Sequence, residues 1–332
     1  MFDINDIRWC VVSQHFLLTA AARSLSLAQV ARLSEEEAHA KFCEIRWSDN
    51  SGQPYCARCG GLIVYAIPSR GTWQCKACNK QFSVTSGTIF ASRKRPIRDY
   101  LLAIAIFVNG AKGHSALQLS RDLDCQYKTA FVLAHKLREA IGSQLETGEI
   151  GGDGKAVEVD GAYFGGKRKP ENRKADRTDR RLSTEGRQVV VIARERQGRA
   201  IPWVVDRESE GVPMIRRHVA TGSIVHADES GAWERLHASF DMRRVNHSVE
   251  FMAEDGACTN QAESYFSRLR RSEFGIHHRI AGPHLDQYAR EMAWREDFRR
   301  QPNGTQFRLI ASAALRHPVS QRWAGYWQRS AA

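Results

Sequence analysis

The fold class of this chain depends on the stretch AVEVDGAYFGGK, residues 156–167. Val157 and Val159 alternate with Glu158, which is typical of a β-strand, and the strand is predicted to end at Asp160, directly before Gly161. Asp and Gly are also ordinary turn residues, so the stretch by itself leaves open whether Asp160 closes a turn or carries a function. The answer depends on which other residues lie near Asp160.

Strands and helices alternate downstream of this stretch. The predicted strands are KAVEVD, RQVVVIARE, AIPWVVD, SIVHAD and RRVNHSV, and the predicted helices are VPMIRRHVA, GAWERLHASF and NQAESYFSRLRR. Three consecutive strands, followed by strands that alternate with helices, predict a five-stranded mixed sheet with helices packed on it.

A basic segment lies between the first two of these strands. Residues 167–187 hold nine Lys or Arg against four acids, with almost no apolar residue, which predicts a solvated loop. Its first residues, Lys167, Arg168 and Lys169, are candidate contacts to DNA phosphates, although such a loop can also be a plain surface feature.

Two further acidic residues are predicted to lie near Asp160. Asp228 ends the strand SIVHAD, so the two carboxylates emerge at neighbouring positions if the two strands are adjacent. Glu263 lies at the edge of the apolar stripe of the helix NQAESYFSRLRR, from which its side chain can face the sheet. Carboxylates that meet in this way repel one another unless a cation lies between them, so the three acids predict bound metal.

Carboxylate oxygens select Mg²⁺ or Mn²⁺ among the common metal ions. Two such ions can activate a water or hydroxyl on one side of a phosphodiester and stabilise the leaving oxygen on the other. Arg270, two helical turns beyond Glu263, is placed to hold a phosphate nearby, and Arg271 follows it. The alternative is that Asp160 and Asp228 are turn residues and Glu263 is a surface residue.

Four cysteines are spaced as in a four-thiolate zinc site. Two C-x2-C pairs are separated by fifteen residues in the segment from 48 to about 90, which is rich in Gly and short β-type runs. Gly60 and Asn79 follow the pairs, and both residue types tolerate the positive φ that a metal knuckle often needs. The pattern predicts a zinc ribbon with one structural Zn²⁺ held by Cys56, Cys59, Cys75 and Cys78.

Helices are predicted on both sides of the ribbon. Residues 1–47 are predicted to be helical, with Ser34 as an N-cap, and residues 96–145 hold further helices with a short break near Asp124. The last two helices fit a helix-turn-helix, whereas similar pairs also occur in ordinary cores. The candidate base contacts at the start of the second helix are Gln126, Tyr127, Lys128 and Thr129.

The overall charge favours a polyanionic partner. The 332 residues carry a formal net charge of +12, and basic side chains that meet phosphates release counterions, so nucleic acid is the leading candidate. An anionic membrane would attract the same charge, but the longest apolar run, YLLAIAIFV, is less than half of the roughly 20 residues that cross a bilayer. The N-terminus shows no secretory signal, so we expect a cytoplasmic protein and no membrane partner.

The order VEVDGAYFGGK, VHADES, VNHS, TNQAESYFSRLRR and HLDQYAREMAWR resembles bacterial insertion-sequence transposases of the acidic-triad (DDE) class, in the branch with an N-terminal zinc ribbon. The resemblance extends from IRW at residues 45–47 to about residue 300. It implies a ribonuclease-H-like catalytic domain, related to retroviral integrases, in which Asp160, Asp228 and Glu263 hold two metal ions. Some members use Asn as the third ligand, which makes Asn260 an alternative to Glu263.

The chain is therefore predicted to be a multidomain α+β protein. Its predicted parts are N-terminal helices (1–47), the zinc ribbon (48–90), a helix-turn-helix DNA-binding domain (91–150), a ribonuclease-H-like α/β catalytic domain with a five-stranded mixed sheet (151–300) and a basic C-terminal tail (301–332).

The predicted function is DNA transposition. The protein would bind terminal inverted repeats, cleave the element ends with two Mg²⁺ or Mn²⁺ ions, and join the 3′ hydroxyls to target DNA. Two ends held together imply a homodimer or a higher oligomer on DNA. The alternatives are a DNA-binding regulator whose catalytic domain is inactive, and a nuclease that cleaves without joining.

Overall fold

The computed structural model of the chain describes residues 16–145, 148–165, 186–245, 256 and 258–329. Short helices and a small three-stranded antiparallel sheet occupy the first half of the chain. These elements are α1 (Leu27–Ala31), α2 (Glu35–Arg46), β1 (Val64–Ile67), β2 (Thr72–Cys75), β3 (Gln81–Phe82), α3 (Ile97–Asn109), α4 (Ala116–Asp122) and α5 (Tyr127–Leu145).

The second half contains the larger sheet and the helices that cover it. Its elements are β4 (Ile150–Gly151), β5 (Ala156–Gly165), β6 (Arg187–Glu195), β7 (Ala200–Val205), α6 (Val212–His218), β8 (Val219–Ala220), β9 (Ile224–Asp228), a 3-10 helix (Gly231–Ala238), β10 (Asp241–Val245), α7 (Asn260–Ser272), α8 (Leu285–Phe298), α9 (Asn303–Arg316) and α10 (Tyr326–Arg329).

The predicted N-terminal helices are confirmed only in part. Ser34 caps α2 and forms a capping box with Glu37, as the sequence indicates. Residues 19–25, by contrast, contain no helix, and only Phe16–Leu18 before them forms a 3-10 turn. The backbone of Leu25 instead bonds the side chain of Asn303, which accepts its N–H and donates to its carbonyl, and α1 starts only after Ser26.

The five-stranded mixed sheet predicted from the sequence is confirmed. Its strand order is β10-β9-β5-β6-β7. β5, β6 and β7 are antiparallel neighbours, whereas β9 runs parallel to both β5 and β10. The central strand β5 therefore has an antiparallel partner on one side and a parallel partner on the other.

Two hydrophobic cores lie on the two faces of this sheet. On one face, α6 and the 3-10 helix cover residues such as Val157 and Val159. On the other face, α7 packs on β5, which carries Ala162 and Phe164, and α8 packs on β7. This core continues through α3, α5 and α9 to the small sheet. The fold therefore joins the helices of the first half to one face of the large sheet.

The segment that we predicted as a basic C-terminal tail includes a helix with a buried face. Phe307 and Ile310 of α9 are 2% and 0% exposed, and α9 contacts α2, α3 and α5. The chain thus returns near its end to the helices of its first half. None of the described helices combines the length and the apolar composition that a bilayer crossing requires.

Candidate metal centres and DNA-binding helices

Asp160 and Asp228 lie at matching positions on neighbouring strands. The parallel pairing of β5 with β9 ends at Val159 and Ala227, and each aspartate is the next residue of its strand. The prediction that the first strand ends at Asp160 is wrong, because β6 continues to pair with β5 as far as Gly165. Only the pairing with β9 ends there, so Asp160 is at the end of the parallel part of the sheet.

Hydrogen bonds fix the orientation of both aspartates. Oδ1 of Asp228 accepts the indole N–H of buried Trp233 at 2.9 Å and the backbone N–H of Ser230 at 3.2 Å. Oδ1 of Asp160 accepts the backbone N–H of Gly161 at 2.7 Å. Both carboxylates are therefore held in place by groups of this chain.

Glu263 is carried by α7, whose buried residues include Ala262, Phe266 and Leu269 of the predicted apolar stripe. The carboxylate of Glu263 is close enough to Asp160 to act on its pKa. Burial is the largest cause that raises the pKa of Asp160, and the charges of Asp228, Glu208 and Glu263 raise it further, to about 7. The fold thus brings the three predicted acids into one electrostatic cluster.

Glu208 belongs to this cluster and was not predicted. It begins the 3-10 turn Glu208–Gly211 after β7, and its Oε2 accepts the hydroxyl of Ser230 at 3.2 Å. Burial and the charge of Asp228 raise its pKa. The sequence offers only a weak signal, because Asp206, Glu208 and Glu210 are alternating acids that nothing local distinguishes.

The donor set of the cluster fits hard divalent cations. Among the residues that the structure describes, three or more ligand atoms approach within 4.8 Å of one another only at four cysteines, so the acids do not converge on a single point. Mg²⁺ commonly takes one or two carboxylates and keeps several waters. A cation at this cluster would therefore be held by one or two of the acids together with water.

A buried glutamate fixes the start of α7. Glu158 is 1% exposed, and its Oε2 accepts the backbone N–H groups of Gln261 at 2.7 Å and Ala262 at 3.1 Å. Its Oε1 pairs with Arg196 at 2.9 Å. Because Glu158 and Asp160 are two residues apart on β5, this contact sets the position of α7 relative to Asp160. Sequence reasoning gave Glu158 no role.

The predicted residues of α7 are on its surface, and Glu263 itself is exposed. Asn260 is the exposed first residue of the helix, three positions before Glu263. Arg270 and Arg271 are exposed, with the guanidinium of Arg270 6.0 Å from the ring centre of Phe164 and that of Arg271 donating to Ser267 at 2.9 Å. The predicted contacts Lys167, Arg168 and Lys169 lie outside the described residues.

The four ribbon cysteines form a second candidate metal centre. Their sulfurs all lie within 4.8 Å of one another. The pairs Cys56–Cys78 and Cys59–Cys75 are each 3.6 Å apart, whereas tetrahedral zinc with Zn–S bonds of about 2.3 Å separates its sulfurs by about 3.8 Å.

Both predicted knuckle residues have positive φ, 71° at Gly60 and 55° at Asn79. Burial would raise the pKa of the Cys56 thiol, but backbone N–H groups of Cys59 and Arg58 lower it to about 6. The Cys56 thiolate, the form that binds zinc, is therefore favoured. At Cys59 the backbone N–H of Gly61 lowers the pKa, but hydrogen bonds with the other three sulfurs outweigh it and raise the pKa to about 12.

The helices α4 and α5 meet across a four-residue turn that includes Asp124 in the left-handed region, with φ of 46°. The four candidate base contacts at the start of α5 are all exposed. The ammonium group of Lys128 also lies 5.3 Å from the ring centre of Trp327. The indole N–H of Trp327 donates to the backbone carbonyl of Lys128. The rest of α5 is largely buried and packs on α8 and α9.

Comparison with known proteins assigns the regions of both candidate metal centres to transposase domains. Residues 151–297 match the family of the ISXO2-like transposase domain, and residues 33–81 match the transposase zinc-ribbon domain. The chain belongs to the insertion-sequence transposases with an N-terminal zinc ribbon. DNA is therefore its expected partner, and the ribbon supports one structural Zn²⁺.

One named relative matches most of this chain. It is described as an uncharacterized protein in transposable element ISH50 of Halobacterium salinarum. It is 25% identical over 298 residues, which cover 85% of this chain and 98% of the relative. No solved structure matched the chain.

Proposed function

We propose that this transposase cuts the ends of its element and joins them to target DNA by two-metal phosphodiester chemistry at Asp160, Asp228 and Glu263. The observation that carries the proposal is the placement of Asp160 and Asp228 at matching positions on adjacent parallel strands, with Glu263 acting on Asp160 from α7. The order and directions of the five strands support a ribonuclease-H-like domain.

The residues of the chain have distinct parts in this reaction. The charges of both other acids act on Asp160, which would be shared by two Mg²⁺ or Mn²⁺ ions, while Asp228 and Glu263 would each hold one of them. When bound, such ions make an oxygen nucleophilic and stabilise the leaving oxygen. We keep Glu263 rather than Asn260 as the third ligand, because a carboxylate neutralises cation charge and an amide does not.

Two substitution reactions at phosphorus follow one another. Water first attacks a phosphodiester at the element end, the bond from phosphorus to O3′ breaks, and a 3′ hydroxyl and a 5′ phosphate remain. The 3′ hydroxyl then attacks a target phosphodiester, and the target strand leaves with its own 3′ hydroxyl. Arg270 and Arg271 on the exposed side of α7 would bind the phosphates of these strands.

The first half of the chain would recognise the element ends. We propose a helix-turn-helix in residues 91–150, in which α5 presents Gln126, Tyr127, Lys128 and Thr129 to the terminal inverted repeats. The ribbon of residues 48–90 would support this binding, and residues 151–300 would form the catalytic domain. Because two ends react together, at least two copies of the chain would act on DNA.

Cleavage of the element's own end tests the proposal. Wild-type protein with Mg²⁺ should produce new 3′ ends at the terminal repeat and then joined products with a second DNA. Asp160→Asn keeps the size of the side chain but removes its charge, so cleavage should fall to background while binding of the terminal repeat survives. Cleavage by the variant at the wild-type rate would exclude Asp160. Binding without any cleavage by the wild type would indicate a regulator, and cleavage without joining a nuclease.

A further inference from the structure

Glu208 lies directly against the backbone of β5 beside Asp160. Neighbouring residues of a strand point to opposite faces, so Asp160 faces the α7 side of the sheet and Gly161 the α6 side. A Cβ atom at Gly161 would lie 2.8 Å from Cγ and 3.0 Å from Oε1 of Glu208. The missing side chain of Gly161 is therefore what allows the Glu208 carboxylate to approach the strand at this point.

Ser230 links Glu208 to Asp228. Its backbone N–H donates to Oδ1 of Asp228 at 3.2 Å, and its hydroxyl donates to Oε2 of Glu208 at 3.2 Å. Ser230 thus orients the carboxylates of both Asp228 and Glu208. The other carboxylate oxygen of Glu208, Oε1, lies next to Gly161. Glu208 is half-buried, unlike Glu210, which is exposed two residues later.

We propose that Glu208 is a fourth carboxylate of the divalent-metal site, reaching it from the α6 side of the sheet while Glu263 reaches it from the α7 side. The inference rests on the proposed two-metal function. Two divalent cations carry four positive charges, and Asp160, Asp228 and Glu263 supply three negative ones. Glu208 brings the site to electrical balance in a half-buried place, where unbalanced charge is costly.

Binding of Mn²⁺ to the full-length, zinc-loaded protein tests this inference without any need for DNA cleavage. Titration followed by electron paramagnetic resonance gives the affinity, and Mn²⁺ prefers oxygen ligands to the four thiolates of the ribbon. Glu208→Gln should weaken Mn²⁺ binding about 10-fold or more, within the range seen when groups around a metal are removed. The control Glu210→Gln removes an equal charge from the same turn and should leave the affinity unchanged.

Gly161→Ala provides a second test that removes no charge. The new methyl group would push the end of the Glu208 side chain away from Asp160, so Mn²⁺ binding should weaken as it does in Glu208→Gln. Glu208→Ala removes the group that the methyl would contact. In the double variant, Gly161→Ala should therefore lower the Mn²⁺ affinity little beyond the loss caused by Glu208→Ala alone. If the two losses of affinity multiply instead, the substitutions act independently and the inference is overturned.

Asp160→Asn separates failure of this inference from failure of the proposed function. If the wild type shows no Mn²⁺ binding that depends on Asp160, the proposed metal site is wrong, and the role of Glu208 with it. If binding depends on Asp160 but is unchanged in both Glu208→Gln and Gly161→Ala, only the role of Glu208 is wrong. Thermal unfolding of each variant verifies that it is folded.

Discussion

Asp160 is held in a position where its negative charge is unfavourable without a cation. Burial is the main reason, and the carboxylates of Asp228, Glu208 and Glu263 add repulsion. The folded protein tolerates this because β5 is paired on both sides up to Val159 and packed on both faces. Such stored repulsion is typical of sites whose purpose is binding or catalysis.

Metal-free protein should therefore lose stability as the pH rises, and Asp160→Asn should not show that loss. The pKa of Asp160 is about 7 in the folded state against an ordinary value of 3.8 for an aspartate, so the folded state binds this proton more tightly. Protonated Asp160 therefore adds to the free energy of unfolding, and this contribution is fully present below about pH 4. It is lost as the pH rises through about 7, and the loss is no more than about 4 kcal/mol. Urea unfolding of both proteins from pH 4 to 8 measures it, and parallel curves would contradict the prediction.

The zinc ribbon contains a small sheet that packs against the end of α2. β1, β2 and β3 carry or border the four cysteines, and Trp73 of β2 packs edge-on against Trp47, just beyond α2, at 5.3 Å. Arg46 at the end of α2 donates to the carbonyls of Ser83 and Val84. The ribbon is thus attached to α2 by aromatic packing and by the hydrogen bonds of Arg46.

Loss of one ribbon cysteine should remove the zinc and unfold the ribbon. Cys56→Ser takes away a thiolate, and in small metal-bound modules metal binding supplies much of the folding free energy. The zinc content should fall from one ion per chain to none, with increased protease cleavage between β1 and β3. Cys43→Ser alters a cysteine outside the cluster and should keep the zinc. Wild-type protein without zinc after reducing purification would contradict the prediction.

Two residues at the start of α5 should have different roles, with Gln126 contacting bases and Lys128 contacting phosphates. Gln126→Ala should weaken binding of the terminal repeat by about 1–3 kcal/mol and binding of random DNA much less, because an amide can bond adenine in two places. Lys128→Ala should weaken both about equally and reduce the salt slope by about one counterion. Anisotropy titrations at several salt concentrations measure both. Wild-type behaviour of both variants would exclude this face of α5.

These titrations require the whole chain. α5 packs on α8 and α9, so a fragment that ends near residue 150 would expose its buried face. Ala130, Leu137 and Ile141 are each 0% exposed in the complete chain.

At the scale of the whole molecule, a buried ionic cluster joins the two halves of the chain. Glu291 of α8 is 1% exposed and binds Arg138 of α5 at 2.6 Å and Arg295 at 2.8 Å. Burial would raise the pKa of Glu291, but the two guanidinium groups outweigh burial and lower it to about 2. Glu291 is therefore ionised in the folded protein, and its ion pair with Arg138 connects the proposed DNA-binding helix α5 to the transposase domain.

Glu291→Gln should destabilise the fold strongly because it leaves two buried arginines without their counterion, at a cost of about 3–5 kcal/mol. The wild type should keep this contribution above about pH 4.5 and lose it as the pH falls through about 2, since the pKa is lowered in the folded state. Urea unfolding at pH 7 measures the difference. The control Glu44→Gln breaks an exposed pair with Arg308 and should cost below about 1 kcal/mol. Equal effects of the two substitutions would contradict the prediction.

The sequence by itself determined those features that depend on local pattern. The bounds of β6 and α7, the spacing of the ribbon cysteines and the positive φ at Gly60 and Asn79 follow from periodicity and residue type over a few positions. The neighbouring positions of Asp160 and Asp228 were predicted only on the condition that their strands are adjacent, and the parallel pairing of β5 with β9 meets that condition. The metal-binding role of these acids stays a prediction.

Tertiary structure alone decided the features that depend on residues far apart in the chain. β5 continues past Asp160 because β6 pairs with it, Glu158 is buried because α7 begins on it, and Glu208 reaches Asp160 because Gly161 leaves room. Each partner is more than 20 residues away from the residue that it affects, so no local pattern records the contact. The packing of α9 on α3 and α5 has the same cause: its apolar face becomes buried only when the end of the chain returns to the helices of its first half.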